Sequence, residues 1–168
     1  YDLVITNVPY LVRSKQGDML RDYLEMKHDN AKGDLATAFV ERCWHSCRAS
    51  GTYALVTPQN WLFLKTYKHL RRTLLEDTTW NFVARLGAGA FETIGGEVVN
   101  VALLVQSVQS PTKAHLFLGV DASGASSVTD KACELRRGEL KVADQSTQLA
   151  NPDCTITFGI DKHVERVG

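Results

Sequence analysis

Short apolar runs rich in β-branched residues alternate along this chain with longer stretches whose apolar positions recur every three or four residues, the pattern of strands separated by helices. Leu3-Val4-Ile5 is the first such run and predicts a strand covered on both faces in a parallel sheet. The polar stretch from Leu11 to about Asn30 has no firm period and predicts a mobile loop or short helix. Leu35, Ala38, Phe39, Val40, Cys43 and Cys47 then recur at helical spacing, so a helix capped by Asp34 is expected to run to about Ala49. Gly51 ends it, and Thr52 to Pro58 reads as the second buried strand. Strand, crossover helix and strand make a right-handed βαβ unit.

Beyond Pro58, Gln59 to Leu64 leads into a second helix through Tyr67, Leu70, Leu74 and Leu75. Its bases Lys65, Lys68, Arg71 and Arg72 are assigned to a solvated exterior, with contact to a DNA backbone as the alternative. Trp80 to Leu86 and Val98 to Val105 read as antiparallel neighbours, separated by a glycine-rich stretch too long for a minimal hairpin. Lys113 to Leu118 predicts one more strand, Ser123 to Ser127 a turn, and Val128 to about Leu140 a charged helix. The elements sum to an α/β fold with a mixed sheet and helices on both faces.

Composition narrows the class of protein. The 168 residues suit a single domain, and 19 basic residues balance 19 acidic ones, so any contact with nucleic acid is local rather than driven by an overall basic field. The apolar stretches are far shorter than a membrane span and no secretory signal opens the chain, which predicts a cytoplasmic protein with no membrane partner. The four cysteines, Cys43, Cys47, Cys133 and Cys154, are then expected as free thiols. Cys43 and Cys47 flank His45 one helical turn apart, but two further ligands at finger-like spacing are missing, so no metal is expected.

The chemistry is carried by Asn7-Val8-Pro9-Tyr10, which breaks the first strand at its carboxyl end, where open α/β sheets place ligand chemistry. A strand followed by an Asn-Pro turn and a surface tyrosine is the alternative reading. The motif resembles the Asn-Pro-Pro-Tyr signature of DNA methyltransferases that modify the exocyclic amino group of adenine, with Val8 in place of the first proline. That nitrogen is a poor nucleophile because its lone pair is delocalised into the ring, and two acceptors on its N–H groups draw it toward a tetrahedral, more nucleophilic state. The resemblance implies that these acceptors are the Asn7 side chain and the Val8 carbonyl, that Asn7 also contacts the cofactor, and that Tyr10 stacks on a flipped base. Val8 keeps the carbonyl and, standing before Pro9, an extended backbone.

Asp34-Leu35, Phe39-Val40-Glu41-Arg42, Gly51, Leu55-Val56-Thr57-Pro58 and Leu86-Gly87…Phe91…Gly96-Glu97-Val98-Val99-Asn100 extend the likeness. In this order they resemble the large adenine methylases of phage-exclusion (BREX) and type II restriction-modification systems. The resemblance implies S-adenosylmethionine as cofactor, double-stranded DNA with a flipped adenine as substrate, and other restriction or defence-system subunits as partners. It places Phe91 against the flipped base opposite Tyr10; packing of Phe91 into the core is the alternative. The implied fold is the second half of a Rossmann-like methyltransferase core, with residues 1–120 its C-terminal half and 121–168 a linker or the truncated start of a target-recognition region. The glycine-rich loop that would cradle the cofactor belongs upstream of the catalytic strand, and Gly87-Ala88-Gly89 does not supply it. The chain therefore reads as a piece, expected to be inactive by itself. Two further readings remain: a non-catalytic DNA-binding or complex-forming module on a degenerate fold, and methylation of RNA or a protein glutamine.

Overall fold

The computed structural model describes residues 1–90 and 99–158. β1 (Leu3–Asn7) is followed by α1 (Asp18–Lys27), α2 (Leu35–Ser46), β2 (Thr52–Pro58), α3 (Lys68–Asp77), β3 (Thr79–Gly87), β4 (Val101–Ser107), β5 (Leu116–Asp121), α4 (Val128–Arg137), β6 (Lys141–Asp144) and α5 (Gln145–Ala150). All six strands form one sheet in the order β1-β2-β4-β3-β5-β6. β1 and β2 are parallel, as the first βαβ unit requires, and β5 is parallel to β3. β4 and β6 run against their neighbours. The antiparallel pair expected after the second helix is present as β3 and β4, with β4 inserted between β2 and β3 in the interior of the sheet.

The main core lies between the sheet and α2, α3 and α5. Trp61, Trp80 and Phe117 stack through it with ring centroids 6.1 Å apart at each step, against Leu70, Leu74 and Leu75 of α3. The indoles are not left unpaired, since Trp61 Nε1 donates to Thr57 Oγ1 at 3.0 Å and Trp80 Nε1 to the Leu74 carbonyl at 3.3 Å. The boundary expected at residue 120 falls inside β5. Cys154 and Ile156 are buried in this same core, and Gln145 of α5 receives the Trp80 amide at 2.9 Å while donating to the Leu75 and Thr78 carbonyls. The packing therefore continues to Phe158 without a break.

Arg71 departs from the sequence reading. It is fully buried rather than on the helix exterior, and its guanidinium donates to the carbonyls of Trp61, Leu64, Asp153 and Cys154. Five fixed donors let one side chain close the loop after β2 onto the segment after α5.

β1 also departs, because it lies at the sheet edge and is covered on one face only. Ile5, Ala54, Val105, Phe82, Leu118 and Val142 stand in one register row across all six strands. Each is exposed or half-buried, Ile5 at 71% and Val142 at 57%. The next row on the opposite face, through Leu55, Leu104, Val83 and Gly119, is buried. On the row's own face α4 covers only the end near Ala84, Leu86, Val101 and Val120, through Leu135. Among the described residues no helix is long and apolar enough to cross a membrane.

Candidate active site

The corner begins where β1 ends. Asn7 is in register with Val56 of β2, and the Val8 amide continues the ladder with a 3.3 Å bond to the Val56 carbonyl. The pleat then sorts the four residues: Asn7 and Pro9 are exposed, Val8 is buried in the main core, and Tyr10 is half-buried against that core. Val8 thus fills an apolar site and pairs through its amide, a bond that a proline at this position would give up.

Tyr10 forms part of the wall of a cleft of about 270 Å³, together with Lys15 and Asp34 on its own side and Pro58, Asn60 and Asn100 across from it. Asn60 follows the carboxyl end of β2 and Asn100 precedes β4, which runs the other way, so both loops meet at the carboxyl edge of the parallel strands. The Gln59 amide donates to the Asn100 carbonyl at 2.8 Å and holds them together. Sequence reasoning missed Asn60 and named Asn100 only as the end of the late motif, since only the insertion of β4 beside β2 brings the two to Tyr10. It found Asp34 as a helix cap and as part of the family likeness, and Asp34 also lines the cleft.

The Tyr10 hydroxyl is buried and finds no hydrogen-bond partner among the described residues. Burial, and secondarily the negative charge of Asp34, push its pKa up to about 12. An ionisation resisted in the folded state and unresisted in the unfolded chain contributes stability below about pH 10 that is lost as the pH climbs toward about 12. Tyr10→Phe removes a desolvated hydroxyl and keeps the ring. It is expected to melt at or above the wild-type temperature at neutral pH, and to soften the fall in stability above pH 10. Calorimetric melts across pH 7–12 check this, and a clear loss of stability at neutral pH would show that the hydroxyl has a partner.

Phe91 lies outside the described residues. At the root of its loop, Gly87 and Gly89 take φ of +65° and +68°, and a Cβ on Gly87 would stand 2.9 Å from the Ser123 Cβ. Lys131 of α4 is buried there and donates from Nζ to the Leu86, Ala122 and Ala125 carbonyls, which ties the end of β3 to the turn after β5. Cys43 and Cys47 pack into the main core, where burial raises both thiol pKa values and so disfavours the thiolate a metal needs. His45 stacks beside Trp44 with ring centroids 4.6 Å apart. Among the described residues no group of three or more His, Cys, Asp or Glu is placed to hold a metal ion.

Comparison with known proteins places this geometry. The family described as Eco57I restriction-modification methylase matches residues 1–91, which include the whole corner and the cleft's lining residues other than Val99 and Asn100. The chain belongs to this family. Within the wider group of relatives, it is 34% identical over 121 residues to the adenine-specific methyltransferase PglX of Lacticaseibacillus casei (strain Zhang), covering 71% of this chain and 10% of that protein. It is 34% identical over 105 residues to the adenine-specific methyltransferase BrxX of Escherichia coli O9:H4 (strain HS), covering 62% of this chain and 9% of that protein. The chain therefore spans about a tenth of the length of these relatives. In fold it is similar to the methyltransferase subunit of a type I restriction-modification system from Streptococcus thermophilus, with TM-score 0.62 at 17% identity over 92% of this chain and 36% of that one.

Membership of the Eco57I-type methylases implies a methyl donor, and the residues can be tested for it. Among the described residues no glycine-rich loop leads from a strand into a helix in the manner of a nucleotide cradle. Asn7, exposed at the end of β1, is the expected cofactor contact that this chain offers.

Proposed function

We propose that the full-length protein carrying this chain transfers a methyl group from S-adenosylmethionine to the exocyclic amino nitrogen of adenine in double-stranded DNA, in a restriction-modification or phage-defence setting. The observation that carries this is the corner itself: an Asn-Val-Pro-Tyr break at the carboxyl end of β1, with Tyr10 on the wall of a cleft, in a member of an adenine-methylase group. When bound, S-adenosylmethionine would supply an electrophilic methyl to the amino nitrogen and leave as S-adenosylhomocysteine, the nitrogen's displaced proton passing to solvent. The Asn7 side-chain oxygen and the Val8 carbonyl accept from the two N–H groups and draw the nitrogen toward tetrahedral geometry. Tyr10 stacks on the base once it has left the duplex, with Phe91 on its other face.

Residues 1–120 belong to the second half of the catalytic core in this reading, and the shared packing of β5, β6 and α5 supports carrying that half on to Phe158. Further restriction or defence subunits are the proposed partners of the full-length protein.

The test is product identity. Full-length protein incubated with unmodified DNA and S-adenosylmethionine is expected to yield N6-methyladenine in digested nucleosides read by mass spectrometry. Methylcytosine alone, or methyl transfer only to RNA or protein, would overturn the proposal. DNA binding without any methyl transfer would replace it with a non-catalytic binding module.

A further inference from the structure

Tyr10 must present its ring at one place and angle if it is to stack on a base, yet its own hydroxyl is held by nothing among the described residues. Its chain neighbour is held instead. The Leu11 amide donates to Asp34 Oδ1 at 3.1 Å, and the same oxygen receives the Ala36 amide at 2.9 Å. The Leu11 carbonyl is held as firmly, accepting from the Leu35 amide at 3.0 Å and from Gln16 Nε2 at 3.0 Å. Two residues further on, the Arg13 amide donates to the Gly33 carbonyl at 3.0 Å. Asp34 is 3% exposed, and its bonds to the Leu11 and Ala36 amides are part-buried and buried, so both are strengthened by partial exclusion of water.

The structure assigns Asp34 as the positioning residue of the Tyr10 corner: one carboxylate oxygen caps α2 and grips the backbone immediately after Tyr10, fixing the tyrosine relative to the helix. The assignment rests on the proposed methylase reading of the corner. A plain helix cap needs only the Ala36 amide; the bond to Leu11, 23 residues away in sequence, does nothing for the helix. Gly33 lets the Gly33–Leu35 strip lie against Tyr67, since a Cβ there would stand 2.6 Å from the Tyr67 hydroxyl.

Two substitutions separate the cap from the grip. In Asp34→Ser the hydroxyl still serves the Ala36 amide, since serine caps helices as well as aspartate does, but it lies one bond short of where Oδ1 also reaches Leu11. Asp34→Asn keeps an oxygen at the same reach and is the rescue. In the full-length protein, Asp34→Ser is expected to melt within a few degrees of wild type. Amide hydrogen exchange in the peptide spanning residues 8–14 should quicken about tenfold or more. Turnover of adenine methylation should fall about tenfold to a hundredfold with the KM for the methyl donor unchanged, as for a misplaced substrate-positioning group. Asp34→Asn should restore both readouts. Asp34→Thr replaces the serine variant if that one fails to fold. Normal turnover in Asp34→Ser, unchanged exchange at residues 8–14, or an equal loss in Asp34→Asn would each overturn the assignment. If the wild-type protein makes no N6-methyladenine, the functional reading fails, while the exchange comparison still decides whether Asp34 holds the corner.

Discussion

Asn7→Ala in the full-length protein is expected to lower the turnover of adenine methylation by at least about a hundredfold, the scale seen when one preorganised polar group is removed from a transition state. The effect is large because the lost acceptor acts where the amino group gains charge and changes shape. Stability should change little, since Asn7 is exposed at the end of an edge strand and no side-chain hydrogen bond of Asn7 to another described residue is seen. Single-turnover assays with saturating DNA and donor separate the chemical step from binding, and a circular-dichroism melt of the same preparation controls for folding. Near-normal single turnover in a folded Asn7→Ala protein would remove Asn7 from the chemistry. The exposure of Asn7 also means that the change does not disturb Val8, whose side chain anchors the corner in the core.

Arg71→Leu has the largest expected effect on stability. The leucine fills part of the volume, but the carbonyls of Trp61, Asp153 and Cys154 lose their donor together, while that of Leu64 keeps the Tyr67 amide. Each buried acceptor left unpaired costs about 1–3 kcal/mol, and a total of about 4 kcal/mol or more lowers the melting temperature of a domain this size by roughly 10 °C. The Ile156 amide bond to the Leu62 carbonyl at 2.9 Å runs beside this clamp and should loosen with it. Arg71→Lys keeps the charge but not the fork, and should recover only a fraction of the loss. A calorimetric melt of Arg71→Leu within two or three degrees of wild type would mean that the carbonyls of Trp61, Asp153 and Cys154 find other donors. Asn60 lies just ahead of Trp61, so the same variant is expected to disorder that wall of the cleft.

Local pattern determined a good part of this protein. The β-branched runs at Leu3–Ile5 and Thr52–Pro58 are the first two strands, the helical spacing from Leu35 to Cys47 is α2, and Asp34 is its cap, because alternation, helical period and capping chemistry are written in neighbouring residues. The corner was legible for the same reason: Asn7, Val8, Pro9 and Tyr10 are contiguous, and their place at a strand's carboxyl end follows from the run before them. Tertiary structure decided the rest. Periodicity says that a strand has two faces but not which strand lies beside it, so the insertion of β4 between β2 and β3, and with it the meeting of Asn60 and Asn100 opposite Tyr10, had no local signal. Arg71 occupies a position that spacing assigns to a helix exterior. What buries it is a set of carbonyls up to 83 residues away, whose combined demand for donors outweighs the cost of taking one guanidinium out of water. Asp34 was determined twice over, as a cap by its neighbours in sequence and as the grip on Leu11 only by the fold that brings a residue from 23 positions away to the same oxygen.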